Sequence, residues 1–586
     1  MSRLPLRLFA PALALGAALP ALAAAPAATG PVVELPPFLV AEAGIPLQWR
    51  YAAFDHFEVL SVCSDEATTA FMGQVDRLYQ ELDYVLPPEF QLRQSEPVTY
   101  VLCGDTMQQR LDRDIPAQML ARPAASPSAP PMANLRASFH ALPNMRLRDQ
   151  DAYTVFALVN EQQIETTKLA LTPEHVQALL EGRVPQLPPW FVSGFMRLYG
   201  SIFLPAKPAP SQGPSILHQN GSYDPARIDL APFVWISDEE AAGLRAHPRA
   251  PSPLLPLEDL LGAPRPPADP AEADHYHQAW VSQAALFIRW GLDARTPAVR
   301  QAFWKWVGLA AAGSVTEAMF RDNFGLSYAQ MRDELGHYLA TDALSEFEPS
   351  QGAPSPPSIR LRDATDLDIA RLKGDWERLE TSYVKQAYPA LSDQYRDLAQ
   401  RTLRRAYDRG ARDPRLLAIL GLCECDAGND AAALPLLTAA VRAGGVRPRA
   451  DFELARIRFA QASAAPAGPA GGFSAAQVAS VLEPLALART QSPPLIAAYA
   501  LLADVWFHSA VPPTPADLAP LEEGVRLFPR TSALALDEAL FEARAGRWAE
   551  ANATIDRSLR NATNDPDRDR LIQLQLLLAK SPPPAR

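Results

Sequence analysis

The chain has 586 residues, 48% of them apolar and 20% charged, with 54 Lys and Arg against 66 Asp and Glu for a net charge of −12. That composition is globular, excludes a disordered chain and leaves room for up to about four domains. The acidic balance argues against nucleic-acid binding through basic phosphate contacts, and four cysteines are too few for a disulfide-built scaffold.

In chain order the first feature resembles a secretion signal. Arg3 and Arg7 precede an apolar, Ala-rich stretch over 8–22, and Ala21-Leu22-Ala23 and Ala23-Ala24-Ala25 are small-x-small cleavage sites. Residues 1–25 are expected to be removed on export to the periplasm or the exterior. No transmembrane anchor is expected, since no later apolar run reaches membrane-spanning length. No cysteine follows the cleavage sites closely, so no lipid anchor is expected either.

Residues 26–48 are rich in Pro, Ala and Gly and read as a linker. Alternation over 57–63 predicts a strand. Phe71, Val75, Leu78, Leu82 and Leu86 recur at helical spacing and predict a helix over 65–86. Further strands are predicted at 98–103 and 153–159, and helices at 172–182, from 189, and at 276–291, 296–310, 314–322 and 327–339. The Pro- and Ser-rich segment 122–132 reads as a surface loop.

The Pro-, Ser- and Gly-rich run 346–360 reads as a linker. With little apolar content it should carry few contacts, so a fragment starting near 361 should fold alone. Beyond it nothing reads as a strand; Ala, Leu and Arg recur in helices of 12 to 16 residues. Leu420-Gly421 is followed by Gly428, Ala433 and Ala440, and Ala539 by Gly546, Ala551 and Ser558. In both, a small residue follows the glycine at +5 and again at +12, with Leu437 and Ile555 at equivalent core positions. A looser pair centres on Gly374-Asp375-Trp376. This spacing resembles the tetratricopeptide repeat, in which glycine turns the chain between two helices and small residues let them approach. The resemblance implies an all-α solenoid of about four to six helix pairs over 361–586, binding a protein or peptide partner.

Thr172-Pro173-Glu174-His175-Val176-Gln177-Ala178-Leu179-Leu180 and Leu187-Pro188-Pro189-Trp190-Phe191-Val192-Ser193-Gly194-Phe195-Met196-Arg197-Leu198-Tyr199 follow one another. The second resembles the Leu-Pro-x-Trp-Phe-x-Glu-Gly segment of gluzincin zinc peptidases. There it follows a His-Glu-x-x-His helix, and element order over 49–345 agrees with a peptidase-MA-like domain. In that family two histidines and a later glutamate bind zinc, and a glutamate beside the first histidine is the general base. On this alignment Pro173 and Gln177 replace the histidines, Ser193 replaces the glutamate ligand, and only the base position, Glu174, is kept. A second frame on Glu161 also lacks both histidines, and no His-Glu dipeptide occurs in the chain.

The expected fold class is therefore α+β: a degenerate gluzincin-like domain followed by a tetratricopeptide-like solenoid. No metal and no cofactor are expected. Glu174, His175, Trp190 and Tyr276 are candidates to line a vestigial cleft. His175 also reads as a surface histidine, and Trp190 and Phe191 as core. His275 and His277 diverge at a helix start and make a poor metal pair. Cys423 and Cys425 lie i, i+2 on one helix and should not bridge. In the resembled fold the strands ending in Cys63 and Cys103 are neighbours, which implies either a disulfide between them or two packed thiols. Functionally the chain reads as an exported, non-catalytic binding or scaffold protein. The alternatives are a hydrolase with a rearranged site and a peptide- or glycan-binding module using the old cleft.

Overall fold

The structure is a computed structural model describing residues 32–34, 39–41, 48–54, 57–90, 97–104, 144–159, 161, 173–199, 202–203, 228–230, 254–262, 267–292, 296–341, 345–347, 359–387, 389–445, 447–465, 472–561 and 567–580. The signal-like segment, most of the 26–48 linker, the loop 122–132 and most of the 346–360 linker lie outside the described residues. Strands β1 (Val32–Glu34) and β2 (Leu39–Ala41) pair antiparallel in a unit made of residues 1–46 and 110–123. All further elements belong to a second unit.

That unit is built on a mixed sheet. Strand β3 (Arg50–Ala53) pairs antiparallel with β4 (Phe57–Ser61). Strands β4, β5 (Val98–Gly104) and β7 (Tyr153–Val159) run parallel, and β6 (Asn144–Arg148) closes the far edge antiparallel to β7. The predicted strands and the first helix form, while β3 and β6 have no counterpart among the predicted strands. Helix α1 (Asp65–Val85) links β4 to β5; the Ser64 hydroxyl accepts from Ala67 N, and Asp65 and Glu66 complement the helix dipole. Its Phe71 and Val75 pack on Phe57, Val59, Tyr100, Leu102 and Val155 on one face of the sheet.

A helical layer follows: α2 (Pro173–Glu181), α3 (Pro189–Tyr199), α4 (Leu257–Leu261), α5 (Pro270–Leu292), α6 (Pro297–Ala312), α7 (Glu317–Phe324) and α8 (Tyr328–Thr341). Three short strands, β8 (Ile202–Phe203), β9 (Ile228–Leu230) and β10 (Ser345–Phe347), form a separate sheet with β9 in the middle. Helix α3 crosses α5 closely, because a Cβ at Gly194 would lie 2.6 Å from the Ala284 carbonyl carbon. Trp190, Phe191, Phe195, Phe287, Phe303 and Trp306 fill the core around this crossing.

The remaining helices pack side by side in hairpins: α9 (Asp366–Ala387) with α10 (Ser392–Asp408), α11 (Pro414–Asp426) with α12 (Asp430–Arg442), and α13 (Pro448–Ala464) with α14 (Ala475–Thr490). Helices α15 (Ile496–His508) with α16 (Pro515–Leu527) and α17 (Ser532–Arg544) with α18 (Trp548–Asn561) continue the series, and α19 (Arg568–Lys580) ends it. The two glycine registers behave as the repeat spacing predicts. Gly428 and Gly546 turn the chain at φ +77° and +74°, a conformation glycine adopts without penalty. Ala433, Leu437, Ala440, Ala551, Ile555 and Ser558 are buried between helices. Gly374-Asp375-Trp376 is different: it lies inside α9, not at a turn, and Gly374 lets α9 approach Leu403 of α10.

Two observations correct the expectation of an array standing free behind a linker. Strand β11 (Arg362–Asp363) adds to the sheet antiparallel to β3, although nothing past residue 360 reads as a strand. Helix α9 then covers the second face of the sheet, where Trp376 stacks on Phe156 with ring centroids 4.8 Å apart. The physical reason is that parallel strands are apolar on both faces and need a layer on each; Leu60, Val101 and Phe156 are all at or below 1% exposure.

Candidate functional site

The gluzincin-like motif residues fall on adjacent helices. Pro173, Glu174 and His175 form the first turn of α2, and their side chains lie outside what is described. Gln177 is exposed and donates Nε2 to Glu181 Oε1 at 2.7 Å, one turn along the same helix. Ser193 is half-buried on α3. Trp190 is core, 1% exposed and packed against Phe191 and Phe287. Tyr276 lies half-buried on α5, away from the α3 crossing at Ala284. Its neighbours turn apart: His275 shares a 2.8 Å hydrogen bond through Nδ1 with the Ala271 carbonyl, and His277 stacks on Trp280. Glu161 is placed differently again, accepting from Ser64 N at the start of α1. Among the described residues no group of three or more His, Cys, Asp or Glu could hold a metal ion.

The cysteine pair is neighbouring in sequence register but divided by the sheet. Cys63 packs in the cluster under α1 with Phe57, Val59 and Leu102. Cys103 follows Leu102 and therefore points to the α9 face; burial first and the neighbouring Cys63 second push its thiol up, and Lys373 of α9 opposes them. Both are thiols, because strand alternation separates the side chains. Cys423 is buried, Cys425 half-buried, and burial pushes both up to about 12.

The most organised polar chemistry lies where α9, α11 and α13 meet the sheet. Glu58 of β4 is 4% exposed. It accepts from Tyr51 Oη at 2.6 Å and Arg371 Nη2 at 2.8 Å, and pairs with Arg415 at 2.9 Å. Burial opposes its charge, but Arg415 and Arg371 outweigh burial and hold the carboxyl below its usual range. Asp149, in the β6–β7 turn, accepts from Arg378 at 2.7 Å and Arg449 at 2.5 Å and is likewise held low against burial. Asp151 accepts from the Arg449 backbone N at 2.7 Å and faces Arg447 Nε at 3.5 Å; here burial prevails and the carboxyl is raised. Behind it Asp451 is pushed up to about 7, mainly by burial, with Gln491 opposing and Asp151 adding. None of these residues stands out in the sequence. The available signal is Arg in apolar helical stretches, as in Arg447-Pro448-Arg449, where a buried guanidinium needs an acidic partner.

Beside this layer a cleft of about 300 Å³ opens between the β6–β7 turn, the end of α2 and the start of α15. Its lining includes Arg148, Tyr153, Leu179, Glu181, Leu495, Ile496 and Phe528. The motif helix α2 thus contributes its last turn to a cleft.

No protein-family model matches the chain, and no curated protein matches it. Among solved structures, a thermophilic TPR protein of Thermus thermophilus is 20% identical, with a TM-score of 0.24, over 34% of this chain and 99% of that one. The chain is a mostly helical protein in which helical hairpins follow a small mixed sheet. Among the described residues no helix is long and apolar enough to cross a membrane.

Proposed function

We propose that the protein is an exported, non-catalytic scaffold that binds a protein or peptide partner through a tetratricopeptide-like array, with a degenerate gluzincin-like head. The observation that carries the binding reading is the array: successive hairpins from α9 to α18 with small residues at the helix contacts. Such arrays offer extended surfaces more often than chemistry. The non-catalytic part rests on Pro173, Gln177 and Ser193 standing where zinc ligands belong; without three ligands a zinc-bound water is not generated. The export part rests on the basic and apolar opening of the chain.

Cleavage of an unfolded protein substrate, with and without added zinc and chelator, tests the reading. No chelator-sensitive cleavage is expected. Chelator-sensitive cleavage that disappears in Glu174→Gln overturns it in favour of a hydrolase. Export is tested by fusing residues 1–48 to a reporter and sequencing the mature N-terminus, expected just after Ala23 or Ala25; an unprocessed reporter retained in the cell refutes it.

A further inference from the structure

The cleft beside the charged layer has an asymmetry that defines a ligand. One side carries Arg148, the last residue of β6, exposed and with its Nη2 3.7 Å from where a Cβ on Gly182 would stand. The carboxyl end of α2 lies there, and a helix C-terminus favours a cation. Arg148 makes no ion pair among the described residues. Two of the acidic groups nearby are already paired with arginines, and the third accepts a neutral amide. Asp149 is held by Arg378 and Arg449, Asp151 by Arg447 and the Arg449 backbone, and Glu181 receives the Gln177 amide. The opposite side is apolar and belongs to the array: Leu495, Ile496 and half-buried Phe528, with Ile496 40% exposed.

We propose that this cleft binds a carboxylate carried on an apolar body, with the carboxylate on Arg148 and the apolar part against Leu495, Ile496 and Phe528. The inference rests on the binding-protein reading and gives it a site where the array meets the β6–β7 turn and the end of α2. A guanidinium meets a planar carboxylate with two parallel hydrogen bonds. Arg183 also lines the cleft, but its guanidinium lies over the Phe90 ring at 4.2 Å. Glu181 receives only a neutral amide and keeps its negative charge, so Arg148 is the cation offered to one carboxylate and a phosphate dianion is disfavoured. A free cation finds no open carboxylate at Asp149 or Asp151. A cavity of about 300 Å³ stands at the small end of ligand pockets. The ligand is therefore a short organic acid or the last residue or two of a peptide chain.

Titration calorimetry on the full chain separates the possibilities. The probes are N-acetyl-leucine, N-acetyl-leucine amide and an N-acetylated hexapeptide ending in leucine with a free carboxylate. The two acids are expected to bind and the amide to bind at least about tenfold more weakly, the size of one charged hydrogen-bonded pair. Arg148→Gln should lower acid affinity about tenfold and leave the amide unchanged, with an unaltered melting temperature showing an intact fold. Ile496→Asp should weaken all three. Tighter binding of the hexapeptide assigns the site to a chain end, and equal binding of N-acetyl-leucine assigns it to a free acid. Equal affinity for acid and amide, no effect of Arg148→Gln, or no binding of any probe overturns the site. Those results leave the non-catalytic reading standing, whereas chelator-sensitive peptidase activity removes that reading and not the cleft.

Discussion

Arg378, in the first helix of the array, donates Nη2 to Asp149 in the β6–β7 turn at 2.7 Å, across 229 residues of sequence. The same guanidinium reaches Asp375 and Asp426, each at 2.8 Å, and its side chain is 2% exposed. Removing one partner of a buried ion group strands the other charges, which costs roughly 3–5 kcal/mol. Arg378→Met is expected to lose stability of that order in urea unfolding followed by circular dichroism. A loss below about 1 kcal/mol would mean the carboxylates find water instead.

Separating the two regions at residue 361 should harm both. The sheet would lose β11 and the α9 cover over Leu60, Val101 and Phe156, and the array would expose Trp376, now 1% exposed. Fragments 49–360 and 361–586 are each expected to aggregate or to melt well below the full chain. A fragment 361–586 that is soluble and as cooperative as the full chain would show that the sheet contributes nothing to α9. In the intact chain Trp376→Ala should cost about 3–5 kcal/mol, the range for emptying a large aromatic site.

The pH dependence follows from carboxyls raised by burial. Asp451 is pushed up to about 7, Glu538 to about 7 and Asp537 to about 6. Each is raised above its unfolded value, so its stabilising contribution is fully present below the unfolded pKa and lost as pH rises through the folded one. The folded chain holds more protons between the unfolded and folded pKa values, so stability should fall as pH rises from about 4 to 7 and level off above, each group adding at most ~1.4 kcal/mol per pH unit. Asp149 and Glu58 are held low by arginines, so their contributions are lost only at more acidic pH. Urea midpoints from about pH 4 to 9 check this. Asp451→Asn should flatten the slope between about pH 4 and 7; an unchanged slope would place the titrating groups elsewhere.

Two glycines should respond to alanine for different reasons. At Gly194 a Cβ meets the Ala284 backbone at 2.6 Å, so α3 and α5 must move apart, at the roughly 1–3 kcal/mol typical of overpacking. At Gly428 nothing lies within 4 Å, but φ is +77°, so Gly428→Ala costs about 1–2 kcal/mol through the backbone alone. Melting temperatures with far-ultraviolet helicity distinguish them: Gly194→Ala should also disturb the near-ultraviolet signal of Trp190 and its neighbours, and Gly428→Ala should not.

Cys63 and Cys103 should remain thiols under mild oxidation of the folded chain, because they point to opposite faces of the sheet. Alkylation followed by peptide mapping should modify both only after unfolding. A 63–103 cross-link in native protein would show that the end of β4 turns its side chain over.

By itself the sequence determined the longer elements whose signal is local. Apolar alternation set β4, β5 and β7. The 3.6-residue spacing set α1 and the later helices. The two glycine registers placed Gly428 and Gly546 at left-handed turns, because only that residue takes a positive φ freely. Where the signal was short it failed: β11 has two residues, too few for any period, and β3 has four; β6, Asn-Met-Arg-Leu-Arg, is as long as β4 but has only two apolar residues. The tertiary structure decided the rest. Gly374-Asp375-Trp376 carries the same residue types as a repeat turn, yet it became the middle of a helix because one face of the sheet needed an aromatic cover and Leu403 needed a close neighbour. The arginines at 371, 378, 415, 447 and 449 carry no local sign of which acid each will meet. Their carboxylate partners at Glu58, Asp149 and Asp151 lie hundreds of residues earlier. A charge pair so far apart has no periodicity to announce it, and only folding, by removing water from both partners, selects which acid each arginine meets.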